Sequence, residues 1–374
     1  MKNILLATIG ASPQVLTETL FAIHQSGRPF PDKVFVITTK GSLQSLLNGL
    51  FRDGHLQALK DEYQLPDFDF DENHIWLIED SEGVQIDDAK SIEDQTSMAD
   101  FITRKVYELT QDSNTIIHAS LAGGRKTMAF YFGYAMSMFG RSQDVLSHVF
   151  VDDNYEFVRD FWYPTKQPKW VTGKYGQGEI DLSLAQVTLA EIPFVRMRES
   201  VEQSLITSMA NLSFSQTVGM LNASHKNDLH VVIDTSAKIL TTAGVDIKLT
   251  AKEMAFYIWL YEKSSAGLVV DRYFEYDPQH SIDYLTKYCE LASDPRVLST
   301  FKTTPEDFKA GDHATLSGME REFLQPICSN INRKLRKELP LKIADKLEIN
   351  SSSEGSDQRY RVALAGSDCK IEWI

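Results

Sequence analysis

Cysteine is scarce in this chain: three in 374 residues, at Cys289, Cys328 and Cys369. Their spacings match no zinc site and are too few for a disulfide scaffold. No stretch approaches the roughly 18 apolar residues of a membrane span. The opening Met1–Ala7 resembles the start of a signal peptide, but Thr8 and Gly10 break its apolar run at once, so a first strand is expected there. These absences place the protein in the cytoplasm with no membrane association. An excess of basic residues is also missing. The net charge is −14, which argues against a general nucleic-acid binder but leaves room for a phosphate ligand in a local basic pocket. The acid is concentrated: Asp61 to Asp94 holds thirteen carboxylates against Lys90 alone. Such a run is a solvated loop region or a flank repelling long polyanions. Internal repeats and long low-complexity segments are absent too; Ser351–Ser353 reads as a loop.

What is present is organised around Gly123-Gly124-Arg125-Lys126-Thr127. The apolar run Thr115–Ala119 precedes it, and a nearly all-apolar helix, Arg125–Phe139, follows. This reads as a buried strand, a tight loop and a helix start. Glycines allow close backbone approach, and free N–H groups at a helix start attract anions. Arg125 and Lys126 add two cations. The loop is a phosphate cradle or a plain turn with a solvated basic pair. It is not a Walker A loop, because Lys126 follows Arg125 and Ala119 and Ser120 stand where the first glycine belongs.

In chain order, Lys2–Ile9 is a strand. Gly10-Ala11-Ser12-Pro13 leads into a helix, with Ser12 as its N-cap and Pro13 at its first position. Further strands are expected at Lys33–Thr39, His74–Ile78, Thr115–Ala119 and His148–Val151, with helices at Gly41–Tyr63 and Ile92–Leu109. Phe157–Tyr163 reads as a sixth strand, in a hairpin with the fifth through Asp152-Asp153-Asn154. The alternation predicts an α/β fold with a doubly wound, mainly parallel sheet. Its ligand would sit outside the carboxyl ends of the strands, where Gly10–Ser12 and Gly123–Lys126 converge. Between Trp162 and Gly178 two prolines and three glycines exclude a long regular element. Lys166, Lys169 and Lys174 there are basic arms over the rim or solubilising residues of a linker.

Domains are expected at 1–185 and 227–374, with a helical linker over 186–226. In the second, strands at His230–Ile233, Lys238–Leu240 and Asp246–Leu249 precede a helix opened by a capping box of Thr250 and Glu253. A second helix is expected at Phe323–Leu339 and a terminal hairpin of Arg359–Ala363 with Lys370–Trp373. This order makes an α+β, winged-helix-like domain.

The stretches Ala7–Leu20 and Leu121–Met128 resemble the CARF domains of type III CRISPR systems, and within them the ring nuclease branch. The resemblance covers roughly the first half of the chain. It implies a Rossmann-like homodimer that binds cyclic oligoadenylate and cuts it with no metal or cofactor. The ribose 2′-hydroxyl would attack the adjacent phosphate, giving 2′,3′-cyclic phosphate ends and switching off the antiviral signal. It further implies Ser12, Lys126 and a late lysine, Lys169 or Lys166, as catalytic candidates. Gly10, Ala11, Gln14, Thr39, Gly123, Gly124, Arg125, Thr127 and Lys166 are the implied substrate contacts. The ring expected is cyclic tetra-adenylate.

The second domain resembles the winged helix of response regulators, through Leu249–Glu253 and Asn332–Lys337. Its acidic, lengthened middle predicts weak or absent DNA binding and a dimerisation or lid role. The rival reading is a non-catalytic sensor that drives a DNA-binding winged helix. A ribonuclease effector of the HEPN type is disfavoured, since no Arg-x₄–₆-His follows Glu199.

Overall fold

The computed structural model describes residues 1–198, 212–225, 229–263, 266–364 and 370–374. They form two units, Met1–Ile206 and Thr207–Ile374. The first is a mixed α/β unit. Its strands are β1 (Lys2–Thr8), β2 (Lys33–Thr38), β3 (Ile75–Leu77), β4 (Thr115–Ser120) and β5 (Val145–Val151). The sheet order is β3-β2-β1-β4-β5, and every neighbouring pair within it runs parallel. β1 is central because its residues Ile4–Thr8 are all buried, as a strand covered on both faces must be.

The connecting helices are α1 (Gln14–Gln25), α2 (Lys40–Leu47), α3 (His55–Tyr63), α4 (Ile92–Thr110) and α5 (Lys126–Phe139). Right-handed crossovers put α1 and α3 on one face and α4 and α5 on the other, and each of these pairs packs together. Local signals explain the starts. Ser91 caps α4 in a reciprocal box with Asp94, whose N–H donates to Ser91 Oγ at 2.9 Å. The span read as one helix from Gly41 to Tyr63 is broken by a π-turn at Asn48–Arg52 and by Gly54 at φ 74°. Trp162 presses on Gly49 there: a Cβ on Gly49 would lie 2.2 Å from the indole.

Three expectations are corrected in this unit. Phe157–Tyr163 is not a strand. Tyr155, Val158 and Phe161 recur every third residue in successive turns and bury themselves with Leu182. β5 instead pairs antiparallel with β8 (Val187–Glu191), in register Val149 to Leu189, so the start of the supposed helical linker is the edge strand of the sheet. The hairpin lies further on, between β6 (Trp170–Thr172) and β7 (Glu179–Asp181). Finally, the nearly all-apolar composition of α5 implies burial on most sides, yet Phe130 is 59% exposed beside Tyr131 and Tyr134.

The second unit opens with α6 (Phe214–His225) and the strands β9 (His230–Asp234), β10 (Ile239–Thr242) and β11 (Val245–Lys248). α7 (Ala251–Glu262) begins at the expected box, Glu253 N–H donating to Thr250 Oγ1 at 3.2 Å. Then come β12 (Leu268–Val270), α8 (Gln279–Leu291), two short helices, α9 (Pro295–Thr300) and α10 (Pro305–Lys309), and α11 (Arg321–Glu338). α12 (Leu341–Leu347), β13 (Ile349–Glu354), β14 (Asp357–Val362) and β15 (Lys370–Trp373) close the chain. The expected terminal hairpin is replaced: β14 pairs with β13 and β12, whereas β15 runs parallel to β9. Ser351–Ser353, read as a loop, belongs to β13. The turn that would have joined the two strands of that hairpin, through Gly366-Ser367-Asp368, lies outside the described residues, as do residues 199–211 of the supposed helical linker. Among the described residues no helix is long and apolar enough to cross a membrane.

Candidate functional site

The two glycine loops meet at the carboxyl ends of β1 and β4. Thr8 Oγ1 donates to the Gly123 carbonyl at 3.0 Å, and Thr38 Oγ1 donates to the Ile9 carbonyl at 2.7 Å. These buried hydroxyls tie the rim to the sheet. The approach demands glycine. A Cβ on Gly123 would lie 2.5 Å from the Thr8 carbonyl oxygen, and one on Gly10 would lie 3.0 Å from Gly124 Cα. Gly124 itself has φ 90°, where a side chain is strained.

Two hollows flank this contact. The first, about 430 Å³, is lined by Gly10, Ala11, Thr39, Gly41, Ser42, Asp87, Asp88, Lys90, Gly124, Arg125 and Met128. Arg125 is engaged there: its guanidinium forms a two-pronged pair with the Asp88 carboxylate, Nε to Oδ1 at 2.5 Å. The Arg125 hydrogen bond, with Lys90 beside it, holds the Asp88 carboxyl well below the usual range. The cation expected to neutralise phosphate is thus already paired, by one of the thirteen clustered carboxylates. Lys126 and Thr127 are exposed in the first turn of α5, whose leading amides have no helical acceptor. Thr39 precedes α2 with an extended backbone and is buried.

The second hollow, about 540 Å³, opens on the other side of the loops, between α1, β5 and the turns after it. Ser12 lines it and is exposed. The expected cap is corrected here. Helix α1 begins at Gln14 after Pro13, with no side chain capping it, so Ser12 stands one position too early and its hydroxyl is not used by the helix. Gln14 Nε2 donates to the Arg159 carbonyl at 3.2 Å, while its Oε1 is buried without a partner. One turn on, Glu18 lines the same hollow at 8% exposure. Burial, with the charge of Glu156 adding to it, pushes the Glu18 carboxyl up to about 8. Burial lowers His148 on β5, against the pull of Glu156.

The late lysines separate. Lys166 sits with its Nζ 5.0 Å from the Tyr63 ring centre, and its N–H donates to Glu62 at the end of α3. Tyr63 packs on Phe21 and His24, in the second half of α1, away from the rim. Lys169 opens the β6–β7 hairpin, its N–H donating to Asp181. Neither lines either hollow. Lys174, at the hairpin turn, does reach the rim: its Nζ donates to the Asp153 carbonyl at 2.5 Å, and Asp153 lines the larger hollow. The larger hollow therefore joins Ala11, Ser12, Gln14, Gly123 and Gly124, and the smaller one Gly10, Ala11, Thr39, Gly124 and Arg125, while Lys126 and Thr127 line neither. Sequence reasoning passed over Glu18, His148, Glu156 and Arg159. Of these only Glu18 carried a trace, a lone carboxylate among Thr17, Thr19 and Leu20 on a helix otherwise free of acid. Among the described residues no three His, Cys, Asp or Glu side chains gather as a metal site would.

A helix-flanked, mainly parallel sheet with two glycine loops abutting at its carboxyl rim is an α/β arrangement, and in such sheets ligands generally sit outside that rim. The chain matches the family described as CRISPR-associated protein NE0113 over residues 12–226, more than half of its 374 residues, and it belongs to that family. No curated protein matches it.

Proposed function

We propose that this CRISPR-associated protein binds a cyclic oligoadenylate, cyclic tetra-adenylate, across the rim and opens the ring, ending the signal of a type III antiviral system. The observation that carries this reading is the meeting of Gly10–Ser12 with Gly123–Lys126. At this meeting the backbone can approach phosphate closely; Ser12, whose hydroxyl the helix does not use, lines the larger hollow beside it, and Lys126, exposed at the start of α5, lines neither hollow and would have to reach in. The nucleophile would be the substrate's own 2′-hydroxyl. The protein's task is then to hold ribose and phosphate in line and to stabilise charge growing on the phosphoryl oxygens. Ser12 bonds the hydroxyl or the phosphate; Lys126 supplies charge. Lys174 is better placed than Lys169 or Lys166 to serve as the late lysine. No metal is required in this scheme. A two-fold ring suits a homodimer, and the exposed Phe130 on α5 offers apolar surface for one.

The second unit supports a winged-helix reading through its order of small sheet, helix, helices and β13–β14 hairpin. Its role would be dimerisation or a lid rather than DNA binding. Four of the five cations of α11 are paired with carboxylates: Arg321 with Glu275 at 3.7 Å, Lys334 with Glu253 at 2.6 Å, Arg336 with Glu348, and Lys337 with Glu338 at 3.0 Å; the fifth, Arg333, donates to Asn330 Oδ1 at 3.0 Å. Phosphate contacts need such charges free. Incubation with labelled cyclic tetra- and hexa-adenylate, with and without chelator, tests the proposal. Linear products with 2′,3′-cyclic phosphate ends that survive chelation are expected. Tight binding with the ring intact after hours would favour the sensor.

A further inference from the structure

The smaller hollow holds a contact that phosphate binding at the rim leaves unexplained. The cationic side chains lining it are Arg125 and Lys90, and both are turned on one carboxylate. Arg125 grips Asp88 through Nε and Nη2, and Lys90 Nζ lies 3.1 Å from Asp88 Oδ2. With Asp87 also in the lining, two cations face two carboxylates, and an entering anion meets no net charge. The segment between β3 and α4 that carries Asp88 is fastened down. Lys40 and Gly41, the first residues of α2, donate their N–H groups to the carbonyls of Ile86 and Asp87, each at 3.0 Å. These are helix-start donors of the kind that draw anions, and here the chain itself uses them. A Cβ on Gly41 would lie 2.7 Å from the Asp87 carbonyl oxygen, so the seat requires glycine. On the other side of Asp88, Gln95 Nε2 donates to the Ala89 carbonyl at 2.8 Å, and Ile86 and Ala89 are buried. Asp88 is thus held at the rim by backbone fixed on both sides. The Arg125 side chain is 45% exposed and can swing away without disturbing the core.

We propose that Asp88 is an internal substitute for phosphate, and that by holding Arg125 it decides which phosphates the rim accepts. The inference rests on the ring-binding reading above. A carboxylate and a phosphate offer the same two oxygens to a guanidinium fork, so Arg125 grips one or the other and not both. One negative charge on a phosphodiester matches one on the carboxylate, so charge alone gives the ligand no advantage. Tethering does. Asp88 competes as part of the same chain, at an effective concentration of about millimolar or more, and a free phosphate below that concentration loses the fork to it. A ring phosphate already held at the glycine rim by its other contacts is tethered as well, and competes on equal terms. The contact therefore rejects single phosphates and admits a ligand that carries several. Arg125 and Lys90 together keep the Asp88 carboxyl well below the usual carboxylate range, so mild acid does not open the contact and a second anion must. When Arg125 changes partner, Asp88 keeps Lys90, which leaves no carboxylate stranded.

The test is calorimetric titration of the full chain with two probes, cyclic tetra-adenylate and inorganic pyrophosphate. Asp88→Asn keeps the shape of the side chain and removes its charge. It should tighten pyrophosphate binding about tenfold and ring binding by less, so that the preference for the ring narrows. Asp88→Ala should do the same, which separates loss of charge from any new hydrogen bond of the amide. Asp88 and Arg125 are both partly exposed, so none of these variants opens the core. Arg125→Ala should cost little in the native chain, where breaking the pair offsets the gain, and about tenfold more in the Asp88→Asn chain. A residue that merely supports the segment does not produce coupling of that sign. Weaker or unchanged pyrophosphate binding in both Asp88 variants, with the ring bound by the native chain, overturns the substitute and leaves ring binding standing. An equal cost of Arg125→Ala in the two backgrounds overturns it as well. Pyrophosphate tightened with this coupling, and the ring bound by no chain, upholds the role of Asp88 and overturns the ring reading. Binding of neither probe by any of these chains overturns both.

Discussion

Glu18 makes the fold of the first unit sensitive to pH in a direction opposite to most carboxylates. Its folded value is raised, from 4.5 to about 8, so the folded chain holds a proton that the unfolded chain releases. Its penalty is absent below pH 4.5, grows as the pH rises from there, and is complete above about pH 8. At about 1.4 kcal/mol for each pH unit between those values, the full loss is about 5 kcal/mol. That is a large share of the 5–15 kcal/mol typical of a domain. Glu18→Gln removes the titration while keeping the shape and polarity of the neutral acid. Amide hydrogen exchange at β1, buried at the centre of the first unit, reports the opening of that unit by itself. Protection in the variant should match the native chain at pH 5 and exceed it increasingly up to pH 8, by several kcal/mol in opening free energy. Parallel profiles across that window would refute the reasoning, because they would mean that Glu18 is hydrated and ordinary in the folded chain.

Ser12→Ala should slow ring opening roughly 10²–10³-fold, as loss of one preorganised donor does, with modest effect on the dissociation constant; single-turnover rates and titrations separate the two. Lys126→Ala and Lys174→Ala should weaken binding, whereas Lys166→Ala, whose side chain lies against Tyr63, should leave it unchanged. Gly123→Ala should abolish ring binding and lower thermal stability, since the new methyl meets the Thr8 carbonyl at 2.5 Å. Asp144, fully buried, accepts from the Arg141 guanidinium and from the Ile117 N–H. Asp144→Ala should therefore cost about 3–5 kcal/mol, by leaving Arg141 without its partner, read as a shift in urea midpoint.

Where each element lies was largely legible from local pattern. The β1–α1 and β4–α5 passages follow from apolar runs ended by glycine, and the box of Thr250 with Glu253 follows from a three-residue spacing. These features involve residues close in the chain, so periodicity and capping chemistry determine them. The rim was legible for the same reason, because parallel strands joined by helices must present their carboxyl ends together. Partnership was not legible. That β5 pairs with Val187–Glu191 rather than with its immediate successor, and that β15 joins β9, depends on which edge was left open. Arg125 and Lys126 look alike in the sequence. One is paired with Asp88 and the other exposed, because the loop before α4 folds back to the rim. Glu18 showed only as the single carboxylate of its helix. Only the closing of α1 under β5 and the turns after it takes water from that group. The same desolvation that raises its proton affinity turns it from an acceptor into a donor.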